Sequence, residues 1–232
     1  MKKGIIAGGL LVIIVAVLIF HNKLTSSVTT QEISMDGHSV VSLMASRYEL
    51  DEAKTRELEN ILSQLDLLIQ QSFDEAVANN EASLALVKTR MAHMQRVSTL
   101  AFQLMVAYEQ SSGTSFTLEQ AEDLVLAGYL HDIRKYAEGN HAKQGEKYVV
   151  ANVPSYITIA EDRLTRIGKL IKYHSDALSD KQRAKLGEDA ILEELLQDAD
   201  TADKILNRGQ DAEENITTLN LQSSVDLVEQ YQ

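Results

Sequence analysis

Two adjacent residues, His131 and Asp132, carry the clearest chemical signal in the sequence. They follow a strongly apolar run, residues 124–130, which reads Leu-Val-Leu-Ala-Gly-Tyr-Leu. A carboxylate that such a run carries into a protein core needs a charge partner, because an isolated buried charge is costly. A metal ion is the partner that uses both side chains at once. We therefore predict that this pair binds a metal ion.

Further residues of ligand type lie on other predicted helices. One histidine precedes the pair, two follow it, and an acidic cluster comes last: His93, His141, His174, Asp198, Asp200 and Asp203. Side chains from separate helices can converge on one point in a bundle core. Each residue alone also has an ordinary explanation: a core histidine, a partner of a helix dipole, a surface side chain or a solvated acid.

The residue types restrict the chemistry of the site. The chain has no cysteine, which excludes disulfides and zinc–thiolate sites. Histidines and carboxylates would hold the ion, a donor set that suits Mn, Fe, Co, Ni, Zn or Mg. The net charge of -12 argues against a nucleic-acid polymer as partner, since such proteins need a basic face.

Composition predicts an all-α protein. The 232 residues include a single proline and no sustained alternation of apolar and polar positions. We expect five parts: a membrane anchor (1–23), a tether (24–37), a helical N-terminal extension (38–80), a helical domain with the ligand candidates (81–208) and an acidic C-terminal tail (209–232). The extension includes an amphipathic helix from Asp51 to about Phe73, and Thr117 with Gln120 forms a capping box before the apolar run.

The N-terminal segment Gly4 to Phe20 is uncharged and rich in Ile, Leu and Val. At about 1.5 Å per residue it reaches roughly 25 Å, so lysines at its ends would have to extend to the interface of a bilayer. We expect a single-pass, uncleaved transmembrane helix; a cleaved signal peptide is the alternative. Lys2 and Lys3 before the segment favour an extracytoplasmic location for the following domain.

The order of the ligand candidates resembles the HD-domain superfamily of metal-dependent phosphohydrolases. His93 with Arg96 and Val97 matches its His-x-x-Arg-Val motif, and residues 127–133 match the motif around its His-Asp pair. Residues 196–203 match the last motif, in which the Asp after Ala is the ligand. Residues 141–146 and 171–174 resemble two further helix segments of the family. The resemblance covers about residues 85–207 and implies an HD-domain-like helical bundle.

The resemblance also implies a role for each residue. One divalent ion would be held by His93, His131, Asp132 and Asp200. His141 and His174 would complete a second site with Asp132 as the bridge, or would contact the phosphate, and His174 could protonate the leaving oxygen. Lys135 and Arg96 would neutralise charge in the transition state. Arg134 departs from the family pattern, which has Gly at that position, and it would either point to solvent or add a phosphate contact.

Helix geometry separates the acidic residues of the last motif. At about 100° per residue, Asp198 and Asp200 differ by roughly 200° around a helix, so both cannot face one ion. We predict that Asp200 is the distal ligand and that Asp203, about 60° away from it, is the second choice.

These observations favour a membrane-anchored, metal-dependent phosphohydrolase, either a phosphomonoesterase or a phosphodiesterase. Its substrate would be a nucleotide or another small phosphate ester, with one or two divalent ions per chain. The alternative is a catalytically inactive HD-like module that binds a ligand or partner and signals through the anchor. A third interpretation is an HD-type oxygenase with a di-iron centre, which needs all six ligand positions. The oligomeric state stays open.

Overall fold

A computed structural model describes residues 39–209 and 211–231 of the chain, and within these ranges every regular element is helical. The all-α prediction is confirmed for this part of the protein. The α-helices are α1 (Ser39–Tyr48), α2 (Glu52–Ala78), α3 (Leu84–Ser112), α4 (Leu118–Leu130), α5 (His141–Asn152), α6 (Glu161–Tyr173), α7 (Asp180–Leu186), α8 (Ala190–Arg208), α9 (Ala212–Ile216) and α10 (Gln222–Gln230).

The predicted transmembrane segment, Gly4 to Phe20, lies outside the described residues. Among the helices that are described, none combines the length and the apolar character needed to cross a bilayer.

Helices α3, α4 and α8 pack together at the centre of the domain. Gly128 of α4 lies against the backbone of α3, where an added Cβ would be only 2.9 Å from the Cα of Ser98. Ser98 Oγ also donates a hydrogen bond to the carbonyl oxygen of Val125. This close approach brings the C-terminal end of α4, and with it His131, next to His93 on α3.

Helices α5 and α6 form a second closely packed pair. An added Cβ at Gly145 of α5 would lie 3.0 Å from Ile171 of α6 and 3.6 Å from the carbonyl oxygen of His131. Because this glycine has no side chain, the first turn of α5 can approach both α6 and the end of α4. The start of α5 and the end of α6 therefore meet near the His-Asp pair.

The N-terminal extension packs onto this core. The amphipathic helix α2 begins after the N-cap Asp51, as predicted, but continues to Ala78 rather than to Phe73. Its apolar face is buried, with Leu62, Leu65 and Leu68 almost fully covered. The predicted capping box of Thr117 and Gln120 is confirmed at the start of α4.

Two features differ from the sequence-based expectations. Helix α7 was not expected, although Ser179 and Gln182 form a capping box that marks its start. The segment after Gly209 includes two helices, and α10 packs against α3 and α8. Ser223, Ser224 and Val228 of α10 are buried, so this acidic segment forms part of the folded domain.

Candidate metal centre

The six ligand candidates lie at the meeting point of five helices or helix ends. His93 lies on α3, His131 and Asp132 directly follow α4, and His141 begins α5. His174 directly follows α6, and Asp200 lies on α8. Four of the six are buried, while the side chains of His141 and Asp200 keep 22% and 13% of their surface exposed. The structure therefore brings all six together, with one open side.

The first donor group surrounds the Nε2 atom of His93. This atom is 3.2 Å from His131 Nε2, 3.1 Å from Asp200 Oδ1 and 3.7 Å from Asp132 Oδ2. His131 Nε2 lies 3.6 Å from Asp132 Oδ2. Donor atoms at these separations can all reach one ion, because metal–ligand bonds to nitrogen and oxygen are about 2.0–2.2 Å long.

The second donor group surrounds the other carboxylate oxygen of Asp132. Its Oδ1 atom is 3.2 Å from His141 Nε2 and 3.6 Å from His174 Nε2, and the two imidazole nitrogens are 3.4 Å apart. Asp132 therefore offers one oxygen to each group. As expected from the sequence, His174 is the more buried of the two histidines.

Hydrogen bonds on the far side of three rings determine the tautomers. The Nδ1 atoms of His131 and His174 lie 2.8 and 2.7 Å from the carbonyl oxygens of Gly128 and Ile171. A carbonyl oxygen only accepts, so each Nδ1 carries the proton. His93 Nδ1 lies 2.6 Å from the carboxylate of Asp203 in the same manner. The Nε2 atoms of these rings then face the centre, which is the side from which each ring would bind a metal ion.

The residues fit a divalent cation. His93 and His131 direct two acceptor nitrogens at each other across 3.2 Å, an arrangement that a cation between them relieves. Asp132 Oδ1 is buried and accepts no hydrogen bond of adequate geometry from any described residue, although His141 is close. Two carboxylates, Asp132 and Asp200, supply the negative charge that balances the ion.

The pKa shifts in the centre agree with this donor set. Burial lowers the pKa of His131 to about 3, so the ring is neutral at pH 7. Burial opposes ionisation of Asp132, but the neighbouring histidines outweigh it and hold the pKa of this carboxyl well below its ordinary value. Asp200 behaves alike: burial is outweighed by its contacts with His93, His131 and Lys204, and its pKa is lowered.

Two cationic side chains reach Asp132. Lys135 Nζ lies 3.4 Å from Asp132 Oδ1, consistent with the position expected from the sequence. Arg90 Nη1 lies 2.5 Å from Asp132 Oδ2, and sequence reasoning missed this residue. Its spacing in the sequence could have identified it. Arg90 precedes His93 by three residues on α3, which places both on one face of the helix.

Arg96 requires a correction. Its guanidinium donates two hydrogen bonds to Asp203, from Nε and from Nη2, and Asp203 in turn binds His93 Nδ1. The transition-state role predicted for Arg96 therefore has no support in this geometry. It neutralises the carboxylate that orients a ligand histidine, and Arg90 is the arginine beside the donor groups.

Asp198 and Asp200 of α8 lie in different surroundings. Asp200 belongs to the first donor group, whereas the buried Asp198 accepts hydrogen bonds from the backbone N–H groups of Asn220 and Leu221. Asp198 is thus neither a donor to the centre nor a solvated surface acid.

Arg134 differs from both sequence-based expectations, which were exposure to solvent and a phosphate contact. It pairs with Glu75 of α2 and lies over the ring of Tyr148.

A polar cavity of about 210 Å³ adjoins the centre. His174 and Asp200 form the side next to the donor groups, Gln197 and Lys204 of α8 form a wall, and Thr218 and Asn220 close it from the C-terminal segment. The cavity is open to solvent on one side, so a small molecule bound at the centre could extend into it.

A model of the HD-domain family matches residues 90–207, about half of the chain. The chain belongs to the HD-domain family. The match includes all six residues of the two donor groups and confirms the resemblance found in the motifs. The HD superfamily comprises metal-dependent phosphohydrolases, and the His/Asp cluster of this HD domain could hold a divalent metal. Comparisons with curated proteins and with solved structures give no match.

Proposed function

We propose that this HD-domain protein is a metal-dependent phosphohydrolase that acts on small phosphate esters. The observation that carries the proposal is the division of Asp132 between two donor groups. One oxygen faces His93 and His131, and the other faces His141 and His174. This arrangement suits two divalent ions that share a bridging carboxylate, and the partly exposed His141 and Asp200 leave the centre accessible to substrate.

The six donor residues would form two metal sites. His93, His131, Asp132 and Asp200 would hold one ion, and His141 and His174 with Asp132 would hold the second. When bound, such ions supply a water that ionises near neutral pH and polarise the phosphoryl oxygens. The Nδ1 contacts of the histidines keep each ring in the tautomer and orientation that binding requires.

Arg90 and Lys135 are the side chains that would bind the phosphate. Both lie within 3.4 Å of an oxygen of Asp132, and both side chains are partly exposed. With the charge of Asp132 balanced by a metal ion, their N–H groups would be available to donate to phosphate oxygens. Removal of one such donor costs about 10²–10³-fold in kcat in comparable sites.

The same proposal includes a membrane anchor. It rests on the apolar segment Gly4 to Phe20, and the extracytoplasmic placement rests on Lys2 and Lys3 before it. Fractionation of cells that express the full chain tests the anchor: it should remain in the membrane fraction after a high-salt wash, whereas release into the soluble fraction would contradict it.

A screen for activity tests the enzymatic part. The full chain is purified in mild detergent, stripped with EDTA and reloaded with Mn²⁺, Co²⁺, Ni²⁺ or Mg²⁺. Phosphate release is then measured from a panel of phosphomonoesters, and p-nitrophenol release is measured from the diester bis-p-nitrophenyl phosphate. We expect metal-dependent release from a monoester that EDTA abolishes. No release with any metal, from protein with verified metal content, would contradict the proposal.

A further inference from the structure

The cavity beside the centre has a wall that the HD-domain match does not include. The matched range ends at residue 207, whereas Thr218 and Asn220 belong to the connection between α9 and α10. Since His174 and Asp200 line the same cavity, a phosphate bound at the centre would direct its ester group toward that wall.

A buried carboxylate holds the wall in place. Asp198 accepts hydrogen bonds from the backbone N–H of Asn220 at 2.7 Å, from Asn220 Nδ2 at 2.8 Å and from the backbone N–H of Leu221 at 3.1 Å. Asp198 is one turn away from Thr201 and two residues from Asp200 on the same helix. One rigid helix thus positions both a ligand of the centre and the side chain of Asn220.

The hydrogen-bond network determines which way the amide of Asn220 points. Gln197 Nε2 donates to the carbonyl oxygens of Tyr173 and Asp176, which can only accept, so Gln197 Oε1 must face Asn220. Asn220 then has to offer its NH₂ group to two acceptors, Gln197 Oε1 at 3.3 Å and the Asp198 carboxylate. Both N–H donors are used, and no described residue donates to Asn220 Oδ1.

The charges of the cavity restrict the ligand further. Among the described lining residues the only cation is Lys204, and its Nζ lies 2.7 Å from Asp200 Oδ2. Asp176 adds a second carboxylate to the lining. A second phosphate would meet no uncompensated positive charge here. At about 210 Å³ the cavity is also smaller than the roughly 300–1,000 Å³ of pockets for drug-sized ligands.

We infer that this cavity binds the alcohol part of a phosphomonoester, and that Asn220 selects an alcohol that carries a hydroxyl donor and no second anionic group. This inference rests on the proposed function and names the substrate class of the same site. Asn220 Oδ1 accepts the hydrogen bond from the substrate, and Asp198 is a positioning residue that holds Asn220 in place.

Two matched phosphonates test the inference without turnover, because their C–P bond is not cleaved by a phosphohydrolase. The first, 3,4-dihydroxybutylphosphonate, carries two hydroxyl donors; the second, butylphosphonate, has the same chain without them. Affinities are measured by isothermal titration calorimetry on the full chain loaded with Mn²⁺. The wild type should bind the dihydroxy compound at least tenfold more tightly, the value of about one good hydrogen bond.

Asn220→Ala should reduce this preference to less than about threefold and leave the affinity for butylphosphonate within twofold. Asp198→Asn should reduce the preference as well, with Mn²⁺ content and circular dichroism unchanged. Gln222→Ala is the matched control: it removes an exposed amide of the same segment, whose one side-chain partner among the described residues is Asp226, and should retain the full preference.

Equal affinity of the wild type for the two phosphonates, or weak binding of both, would overturn the inference, as would an equal loss of both affinities in Asn220→Ala. These outcomes are distinct from failure of the proposed function, which is measured by phosphate release. If the protein binds the phosphonates with the expected preference but releases no phosphate from any ester, the inference about the cavity is supported and the proposed enzymatic function is contradicted.

Discussion

Asp203 Oδ2 lies 2.6 Å from Nδ1 of His93 and is itself held by Arg96 and Arg208. The carboxylate is fully buried, and its contacts with His93 and Arg96 outweigh that burial and lower its pKa. Because the contact holds the proton on Nδ1, it leaves Nε2 of His93 free for the metal centre. The sequence predicts Asp203 only as a second-choice ligand after Asp200. In the structure it instead orients the ligand His93.

Replacing Asp203 should weaken metal binding without removing a ligand. In Asp203→Asn, the amide can accept at only one oxygen, so His93 and Arg96 compete for it and the ring loses its orientation. We expect the affinity for Mn²⁺ to fall about 10–100-fold, as for comparable partners of ligand histidines. Competition with a chelator measures the affinity. Asp226→Asn, an exposed control, should leave it unchanged, and equal affinities of the two variants would contradict this role.

Asp198 and Asp200 should differ in what their removal costs. Asp200→Ala should lose most of the bound metal, because Asp200 belongs to the first donor group. Asp198→Ala should retain the metal and lose about 1–3 kcal/mol of unfolding free energy, since two backbone N–H groups lose their acceptor. Metal analysis and urea unfolding provide the two readouts. Metal loss in Asp198→Ala alone would show that the assignment is reversed.

The stoichiometry of the centre depends on His174 and His141. If Asp132 bridges two ions, the wild type should bind two Mn²⁺ per chain, and His174→Ala should bind one. The remaining ion would lie at His93, His131 and Asp200, whose donor atoms do not involve His174. Elemental analysis after dialysis counts the ions. One ion in both proteins, with lower turnover in the variant, would instead assign His174 to the substrate pocket.

Glu193 offers a test of stability that is separate from the centre. It is fully buried, burial raises the pKa of its carboxyl well above the ordinary value, and its Oε2 atom has no partner among the described residues. Above the pKa of the unfolded chain, the unfolded state releases this proton while the folded state keeps it. Folding therefore becomes less favourable as pH rises toward the pKa of the folded state.

Glu193→Met should relieve this cost with little change in side-chain volume. We expect the variant to gain little at pH 4, where both states are protonated, and to gain stability by about 1.4 kcal/mol per pH unit above the unfolded pKa until the folded pKa is reached. Urea unfolding of EDTA-treated protein at pH 4 and pH 7 measures this. If the unfolding free energies of Glu193→Met and the wild type differ by the same amount at both pH values, Glu193 ionises alike in the folded and unfolded states.

Local patterns predict much of the fold, and the resemblance to the HD-domain motifs identifies the six ligand candidates. The apolar run before His131 predicts a buried helix. Helix phase shows that Asp198 and Asp200 cannot both face one ion, and the motif favours Asp200. The sequence could not predict whether Arg90 or Arg96 reaches Asp132, because that choice depends on how α3 is rotated against α4 and α8. Burial of Asp198 depends on contacts with Asn220, 22 residues later in a segment of weak helical pattern.

The most direct test of the account compares Asp132→Ala with the wild type in metal content and in metal-dependent phosphate release. Asp74→Ala is the matched control, since Asp74 is an exposed carboxylate whose one side-chain partner in the described part of the chain is Gln70. We expect Asp132→Ala to lose both metal and turnover, with helical content by circular dichroism nearly unchanged, and Asp74→Ala to keep both. Full metal occupancy and full turnover in Asp132→Ala would contradict the central claim that this carboxylate joins the two halves of a metal centre.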